Sequence, residues 1–172
     1  GNKRKNAKVM HAGSAMLTWD LNNNGISDLL LTNVSYNNVS ALINGGTLDS
    51  SVLVSQDTAF PPSKPIDLFV FPAPYRSDTD ADGIDDLIVS SFSSASSGSP
   101  DMSSNHQGIW HYKNTGTNSL PNFSFSQDDY LQSDMIDAGA ASIPRFVDLN
   151  GDSLMDLILS IANRFQAPGI SS

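Results

Sequence analysis

One motif, repeated three times, limits what this chain can fold into more than any other feature. Each copy places Asp or Asn at alternate positions and ends in Asp-Leu followed by aliphatic residues. Short Asp and Asn side chains favour tight turns, and aliphatic runs bounded by turns favour buried strands. The copies align without gaps at Asp20–Leu31, Asp78–Ser90 and Asp148–Ser160. The chain is therefore predicted to repeat one turn-and-strand unit.

The spacing of the copies is unequal, and the excess can be localised. The first Asp residues lie 58 and then 70 positions apart, whereas an Asn-x-Gly turn at Asn44 and again at Asn114 precedes the next copy by 34 residues both times. The extra 12 residues therefore lie between the second copy and Asn114. A Ser-rich stretch without periodicity, from Ser91 to Gln107, occupies this place and predicts an insertion in a surface connection.

Short apolar or alternating runs predict the strands of each unit, and those beside the acidic motif are expected to be buried on both faces. In repeat order they are Ala15–Trp19, Leu29–Leu31, Val39–Asn44 and Val52–Ser55; Ile66–Phe71, Leu87–Val89, Ile109–Asn114 and Phe123–Ser126; Ile143–Val147 and Leu157–Ile161. Four strands per unit of about 60 residues are typical of a propeller blade. The prediction is an all-β chain of four-stranded antiparallel β-propeller blades, a partial propeller of two to three blades over 10–62, 63–135 and 136–165. A basic tail (1–9) and a short tail (166–172) flank them.

Composition supports this class and excludes several functions. All 18 acidic residues are Asp, which disfavours helices. The net charge of −9 argues against nucleic-acid binding. No apolar segment reaches the ~18 residues that a membrane helix needs, so no membrane insertion is expected. The absence of Cys excludes disulfides and thiolate chemistry.

The acidic motif has the oxygen pattern of a calcium site. Calcium takes about six to eight oxygen ligands, and a curled loop can supply them from side chains at positions 1, 3, 5 and 9 and a carbonyl at position 7. The predicted ligands are Asp20, Asn22, Asn24, Ile26 and Asp28 in loop 1 (20–28); Asp78, Asp80, Asp82, Ile84 and Asp86 in loop 2 (78–86); Asp148, Asn150, Asp152, Leu154 and Asp156 in loop 3 (148–156). Up to three Ca2+ ions are expected, with affinity falling from loop 2 to loop 3 to loop 1. Ser153 replaces the position-6 Gly in loop 3, which predicts a different turn there.

The sequence of the loops allows two interpretations other than this calcium site. An EF-hand needs Glu at position 12 and flanking helices, but that position holds Leu31, Val89 and Leu159 in predicted strands. Asx-rich turns without metal remain the alternative. Three copies in register favour metal, as does the crowding of carboxylates, which repel one another unless a cation neutralises them.

These Asp-x-Asp/Asn-x-Asp/Asn-Gly-x-x-Asp-Leu loops resemble the FG-GAP/VCBS family of calcium-binding β-propeller repeats, which also occur in integrin α-subunits. The resemblance covers roughly residues 10–165. It implies that each loop joins the first two strands of a blade, that its calcium is structural, and that the chain is part of a secreted bacterial surface protein. An extracellular or cell-surface setting follows from the resemblance.

No catalytic constellation is evident in the sequence, and none of His11, His106 and His111 has a recognisable partner. We therefore expect a non-enzymatic binding or adhesion module whose protein or carbohydrate ligand contacts the insertion. Trp110, His111 and Tyr112 beside it either stack on a sugar or pack between blades. The alternatives are the propeller portion of a secreted polysaccharide-degrading enzyme and a structural spacer. Two and a half blades do not close a ring, so remaining blades or self-association are expected partners.

Overall fold

The structure is a computed structural model that describes residues 13–68, 71–91, 107–136 and 143–160. Within these ranges the chain forms ten β-strands and no helix. The described residues therefore include no helix that could cross a membrane. The chain divides into two compact units, residues 1–133 and 134–172. The predicted all-β class is confirmed.

The first unit contains two four-stranded antiparallel sheets with the same topology. The first sheet has the order β1 (Met16–Trp19), β2 (Asp28–Leu31), β3 (Ser40–Asn44), β4 (Leu53–Asp57). The second sheet has the order β5 (Pro72–Ser77), β6 (Asp86–Ser91), β7 (Ile109–Asn114), β8 (Phe123–Gln127). Each sheet is thus an antiparallel meander, which confirms the predicted four-stranded repeat; the propeller arrangement stays a prediction.

The acidic loops close the first hairpin of each sheet. Trp19, just before loop 1, pairs with Asp28 at its end, and Ser77 pairs with Asp86 in the same way around loop 2. Pairing across the hairpin therefore fixes both ends of each loop. The loop residues connect equivalent strand positions in the two sheets.

The prediction of a strand at Ile66–Phe71 is wrong for residues 66–68 and 71, and residues 69 and 70 lie outside the described residues. Ile66 and Leu68 are buried in the core, but their backbone amides donate to the carbonyls of Phe60 and Asn37 in connecting segments. The strand before loop 2 is β5, which begins at Pro72. Its prolines are tolerated because β5 is an edge strand with one neighbour, so a missing N–H breaks no second ladder. The other nine strands lie within two residues of their predicted bounds, although Ile161 is outside the described residues.

The expectation that strands beside the loops are buried on both faces is only partly met. β2 alternates buried and partly buried residues, β1 buries only Trp19, and all five residues of β9 are exposed. A strand is covered on both faces only where layers pack on both sides of its sheet. β9 lies in a two-stranded sheet, which leaves its side chains open to solvent.

A shared hydrophobic core joins the two sheets. The rings of Trp19 in β1 and Phe123 pack edge-on with their centroids 5.1 Å apart. Phe60, from the connection between the sheets, packs edge-on against the same ring at a centroid distance of 5.7 Å. The Trp19 indole N–H donates to the carbonyl of Asn118 at 2.7 Å. The core consists of Trp19, Leu30, Val39, Ala41, Phe60, Ile66, Leu68, Leu87, Val89, Tyr112 and Phe123.

Trp110 and Tyr112 take part in packing. Tyr112 is fully buried, and its hydroxyl donates to the Lys64 carbonyl at 3.0 Å. Trp110 packs edge-on against Phe125 at 5.7 Å, and the Lys64 ammonium lies 4.2 Å from the centre of its ring. Both aromatics therefore take part in packing, whereas packing between blades stays a prediction.

The second unit contributes one hairpin, β9 (Ile143–Val147) and β10 (Asp156–Ser160), closed by loop 3. Its apolar side chains are largely open to solvent: Phe146, Leu154 and Met155 are 69%, 70% and 71% exposed. Both predicted tails, His11, His106 and most of the Ser-rich insertion lie outside the described residues.

Candidate metal centre

All three acidic loops follow the same backbone path. Positions 4 and 6 adopt the left-handed conformation in every loop: φ is 61°, 62° and 77° at Asn23, Ala81 and Gly151, and 75°, 85° and 69° at Gly25, Gly83 and Ser153. The prediction of a different turn in loop 3 is wrong. Ser153 takes the left-handed conformation at position 6, and Gly151 takes it at position 4.

Hydrogen bonds inside the loops are repeated as well. The position-1 carboxylate accepts the amide of position 6, and the position-5 side chain accepts the amide of position 7 at 2.8 Å in each loop. The bond from the position-6 amide to the position-1 carboxylate measures 3.0 Å for Gly25 to Asp20, 2.9 Å for Gly83 to Asp78 and 2.9 Å for Ser153 to Asp148. Asx-type bonding therefore shapes each loop from within.

The position-9 Asp anchors the loop to the sheet. Asp28 is buried, and its two oxygens accept the amides of Leu21 at 2.8 Å and Asn44 at 2.7 Å. In loop 2 the buried Asp86 accepts the amide of Asn114 at 2.8 Å. Sequence reasoning assigned these carboxylates to the metal alone. In the structure they bind the end of the third strand, where both Asn-x-Gly turns begin.

The Asn of each Asn-x-Gly turn completes that anchor. Asn44 Oδ1 accepts the amides of Gly46 and Val52, both at 3.0 Å. Asn114 Oδ1 makes the matching bonds to Gly116 and Asn122, both at 2.9 Å. Sequence analysis used these residues only to measure spacing; their recurrence in both units was the signal of a shared structural role. Each side chain clamps the turn between the third and fourth strands.

Loop 2 gathers carboxylates where the other loops do not. Asp78, Asp80 and Asp82 each place an oxygen so that all three lie within 4.8 Å of one another, and all three residues are exposed. Within the described ranges no other set of three His, Asp or Glu side chains comes together in this way. Three convergent carboxylates are ligands that suit a hard divalent cation. Such a cluster could hold a metal ion.

The remaining predicted ligands are placed differently. Asn22 and Asn24 of loop 1 offer amide oxygens, and these already accept the amides of Asn24 and Ile26. In loop 3, Asp148 and Asp152 are linked through the Asp152 amide, and Asp156 accepts the Leu149 amide at 2.9 Å. The carboxylates of loop 3 belong to no such cluster of three within the described residues.

A lysine from the third strand reaches the loop 2 carboxylates. Lys113 Nζ lies 2.5 Å from Asp80 Oδ2, 2.7 Å from Asp82 Oδ2 and 3.7 Å from Asp86 Oδ1. These hydrogen bonds raise the pKa of Lys113, and the bond from Lys113 is the main reason that the pKa of Asp82 is lowered. Sequence reasoning missed Lys113 because its contact depends on strand pairing across the insertion.

His111 also differs from its sequence interpretation, because the structure gives it partners. It is buried, stacks on Tyr130 at 4.6 Å and lies 3.0 Å from Thr79 Oγ1, whose hydroxyl bonds Asp86. Burial opposes ionisation of Asp86, but hydrogen bonds from Thr79 and Asn114 together with the nearby Lys113 and His111 outweigh it, and the pKa of Asp86 is lowered. His111 therefore helps to seat the anchor of loop 2.

Comparison with known proteins adds no relative to this picture. No protein-family model, curated protein or solved structure matches the chain. The loop motif and the order of the strands are therefore the features on which an interpretation of function rests.

Proposed function

We propose that the chain is a calcium-stabilised, non-enzymatic binding module built from FG-GAP/VCBS-like propeller blades. The observation that carries the proposal is the meeting of the Asp78, Asp80 and Asp82 carboxylates on the loop that closes a sheet hairpin. Calcium there would be ligated by these side chains and by the Ile84 carbonyl. Its role is structural, since the loop belongs to the repeated framework of the sheets.

The unequal charge of the loops orders their proposed occupancy. Loop 2 offers three convergent carboxylates, whereas loop 1 offers two amides at positions 3 and 5. Fewer charged ligands give weaker calcium sites. Up to three ions are proposed, with loop 2 binding more tightly than loop 3 and loop 3 more tightly than loop 1.

An extracellular or cell-surface setting suits such loops. The cluster of Asp78, Asp80 and Asp82 is solvent-exposed. Calcium sites of extracellular modules typically bind at about 0.1–1 mM. The proposal of an extracellular or cell-surface setting rests on the resemblance of the loops to FG-GAP/VCBS repeats, which are common in secreted and surface proteins.

The ligand of the module, a protein or a carbohydrate, is proposed to contact the insertion after β6. Loop 2 enters β6 at Asp86, and the insertion leaves the strand after Ser91, at its other end. The Ser91 amide donates to the Gly108 carbonyl at 3.0 Å, so the sheet continues directly on the far side of the insertion. Deleting residues 93–105 should leave folding intact and abolish ligand binding; unchanged binding would remove this assignment.

Self-association or pairing with further blades is proposed for the exposed apolar surfaces. The third hairpin exposes Phe146, Leu154 and Met155, and the edge strand β4 exposes Leu53 and Val54. Apolar side chains beside an unpaired strand edge favour contact with another sheet. Light scattering tests self-association: a chain that stays monomeric at high concentration is incompatible with it.

Calcium titration by calorimetry, combined with thermal melts, tests the central proposal. Binding to the folded state alone raises stability by about 2.7 kcal/mol when free calcium exceeds Kd a hundredfold. The melting temperature should therefore rise with calcium and fall in chelator. The matched control replaces Asp78, Asp80 and Asp82 together by Asn, which keeps size and removes charge, and should lose the loop 2 response. No binding heat and no change of melting temperature in the wild-type chain would refute the proposal.

A further inference from the structure

Lys113 supplies loop 2 with a positive charge from within the protein. We propose that its ammonium group is a tethered cation that holds loop 2 together without metal and competes with calcium for the same carboxylates. This inference rests on the proposed calcium binding and deepens it by naming what regulates the site. Among the described residues, no lysine or arginine forms an ion pair with a carboxylate of loop 1.

The geometry places the ammonium on the predicted ligands at positions 3 and 5. Lys113 Nζ donates to Asp80 Oδ2 at 2.5 Å and to Asp82 Oδ2 at 2.7 Å. The other oxygen of Asp82 already accepts the Ile84 amide at 2.8 Å. A calcium ion ligated by Asp82 must therefore share or displace a bonded partner. Charge-assisted bonds of this kind are roughly twice as strong as neutral ones, so displacement weakens the apparent affinity for calcium.

The ammonium is also held in place by the sheet. Lys113 lies in β7, where it pairs with Ser124 of β8, and the next residue, Asn114, is bonded to Asp86 through its amide. The stem of the side chain therefore starts from a fixed point beside loop 2. Because the charge is positioned before any ion arrives, it competes at little entropic cost.

Comparison of the two sheets shows that the lysine is present beside the loop with carboxylates at positions 3 and 5 and absent beside the loop with amides there. The residue before the Asn of the Asn-x-Gly turn is Lys113 in the second sheet and Ile43 in the first. The loop facing Ile43 has Asn22 and Asn24 at positions 3 and 5, where Asn24 donates to the Asn44 carbonyl at 3.1 Å. An amide loop needs no counter-ion, whereas clustered carboxylates do. Lys113 therefore meets a need that loop 2 has and loop 1 does not.

Two results follow for the metal-free and the calcium-bound protein. Without calcium, loop 2 keeps its carboxylates together because Lys113 offsets their repulsion. With calcium, loop 2 binds less tightly than its number of carboxylates alone predicts. The calcium range to which this loop responds is thereby set by a residue outside the loop.

The test compares Lys113→Met with the wild-type chain, with Lys64→Met as the matched control. Lys64 lies over the rings of Trp110 and Phe125 and makes no ion pair with loop 2. Backbone amide NMR reads each loop separately, because the amide of Gly83 bonds within loop 2 and that of Gly25 within loop 1. Half-saturation at Gly83 should shift to calcium concentrations about tenfold lower in Lys113→Met. Gly25 should not shift in half-saturation, and Lys64→Met should match the wild type.

The outcomes separate the inference from the proposed function. If Gly83 responds to calcium at the same concentration in wild type and Lys113→Met, the competition is refuted and calcium binding stands. If neither glycine responds in either protein, calcium binding itself fails, and the inference fails with it. Should Lys113→Met not fold, Lys113→Gln and Lys113→Arg decide instead. The neutral variant should bind calcium more tightly and the charged variant should bind as the wild type does; the same affinity in both overturns the inference.

Discussion

Loops 1 and 2 have the same backbone and different charge. Both use left-handed residues at positions 4 and 6, and both bond a position-1 Asp to the position-6 Gly amide. Asn22 and Asn24 accept backbone amides in loop 1, so the turn does not depend on carboxylates at positions 3 and 5. The extra charge of loop 2 therefore serves something other than the turn, and a cation is the partner that it suits.

The anchor at position 9 is common to both loops, and its loss should have the largest effect. Replacing Asp28 by Ala leaves the partly buried amide of Leu21 and the buried amide of Asn44 without their acceptor. Two bonds to a charged group are lost, and we expect a decrease of about 3 kcal/mol in the free energy of unfolding. Urea denaturation in chelator measures it. Asp49→Ala, at an exposed turn position, is the control and should change stability little. A decrease below about 1 kcal/mol for Asp28→Ala would show that the anchor is not structural.

The Asn clamps should have the next largest effect, and an equal one in both sheets. Asn44→Ala removes the acceptor of the Gly46 and Val52 amides, and Asn114→Ala does the same for Gly116 and Asn122. Each variant should lose about 2 kcal/mol, since two partly buried donors lose the buried side chain that accepts from them. Denaturant unfolding in chelator makes the comparison. Clearly unequal losses would break the equivalence of the two sheets.

Sequence alone predicted what lies within a few residues along the chain. The loops and the strands beside them are local features, since their turns depend on Asp, Asn and Gly inside one stretch of nine residues. The start of β5 was misplaced because hydrophobicity favoured Ile66 over the prolines of an edge strand. Lys113 and His111 reach loop 2 only through the register of β7 on β6, where His111 pairs with Ile88. The intervening insertion hides that register from sequence reasoning.

Substitutions at position 6, where the backbone is strained, should change stability less. The change should be a loss in loop 2 and a gain in loop 3. Gly83 and Ser153 both have left-handed φ, and a side chain costs about 1 kcal/mol there. Gly83→Ala should therefore lower stability by about 1 kcal/mol, and Ser153→Gly should raise that of its hairpin by a similar amount. No atom lies within 4 Å of a methyl group added at Gly83, so the effect there is conformational. Thermal melts in chelator measure both variants, and a neutral Gly83→Ala would contradict the shared strain.

Protonation of Asp86, the anchor of loop 2, should have a still smaller effect on stability. Hydrogen bonds from Thr79 and Asn114 lower the pKa of Asp86 in the folded state below its ordinary 3.8, against the opposing effect of burial. Such a carboxylate stabilises the folded chain at neutral pH, and this contribution is lost as the pH falls from about 3.8 through the lowered pKa. Urea unfolding across that range should therefore show a steeper loss for wild type than for Asp86→Asn, which has no proton to take up. Parallel pH profiles for the two proteins would mean that the Asp86 carboxylate is no more stabilised by the fold than by water.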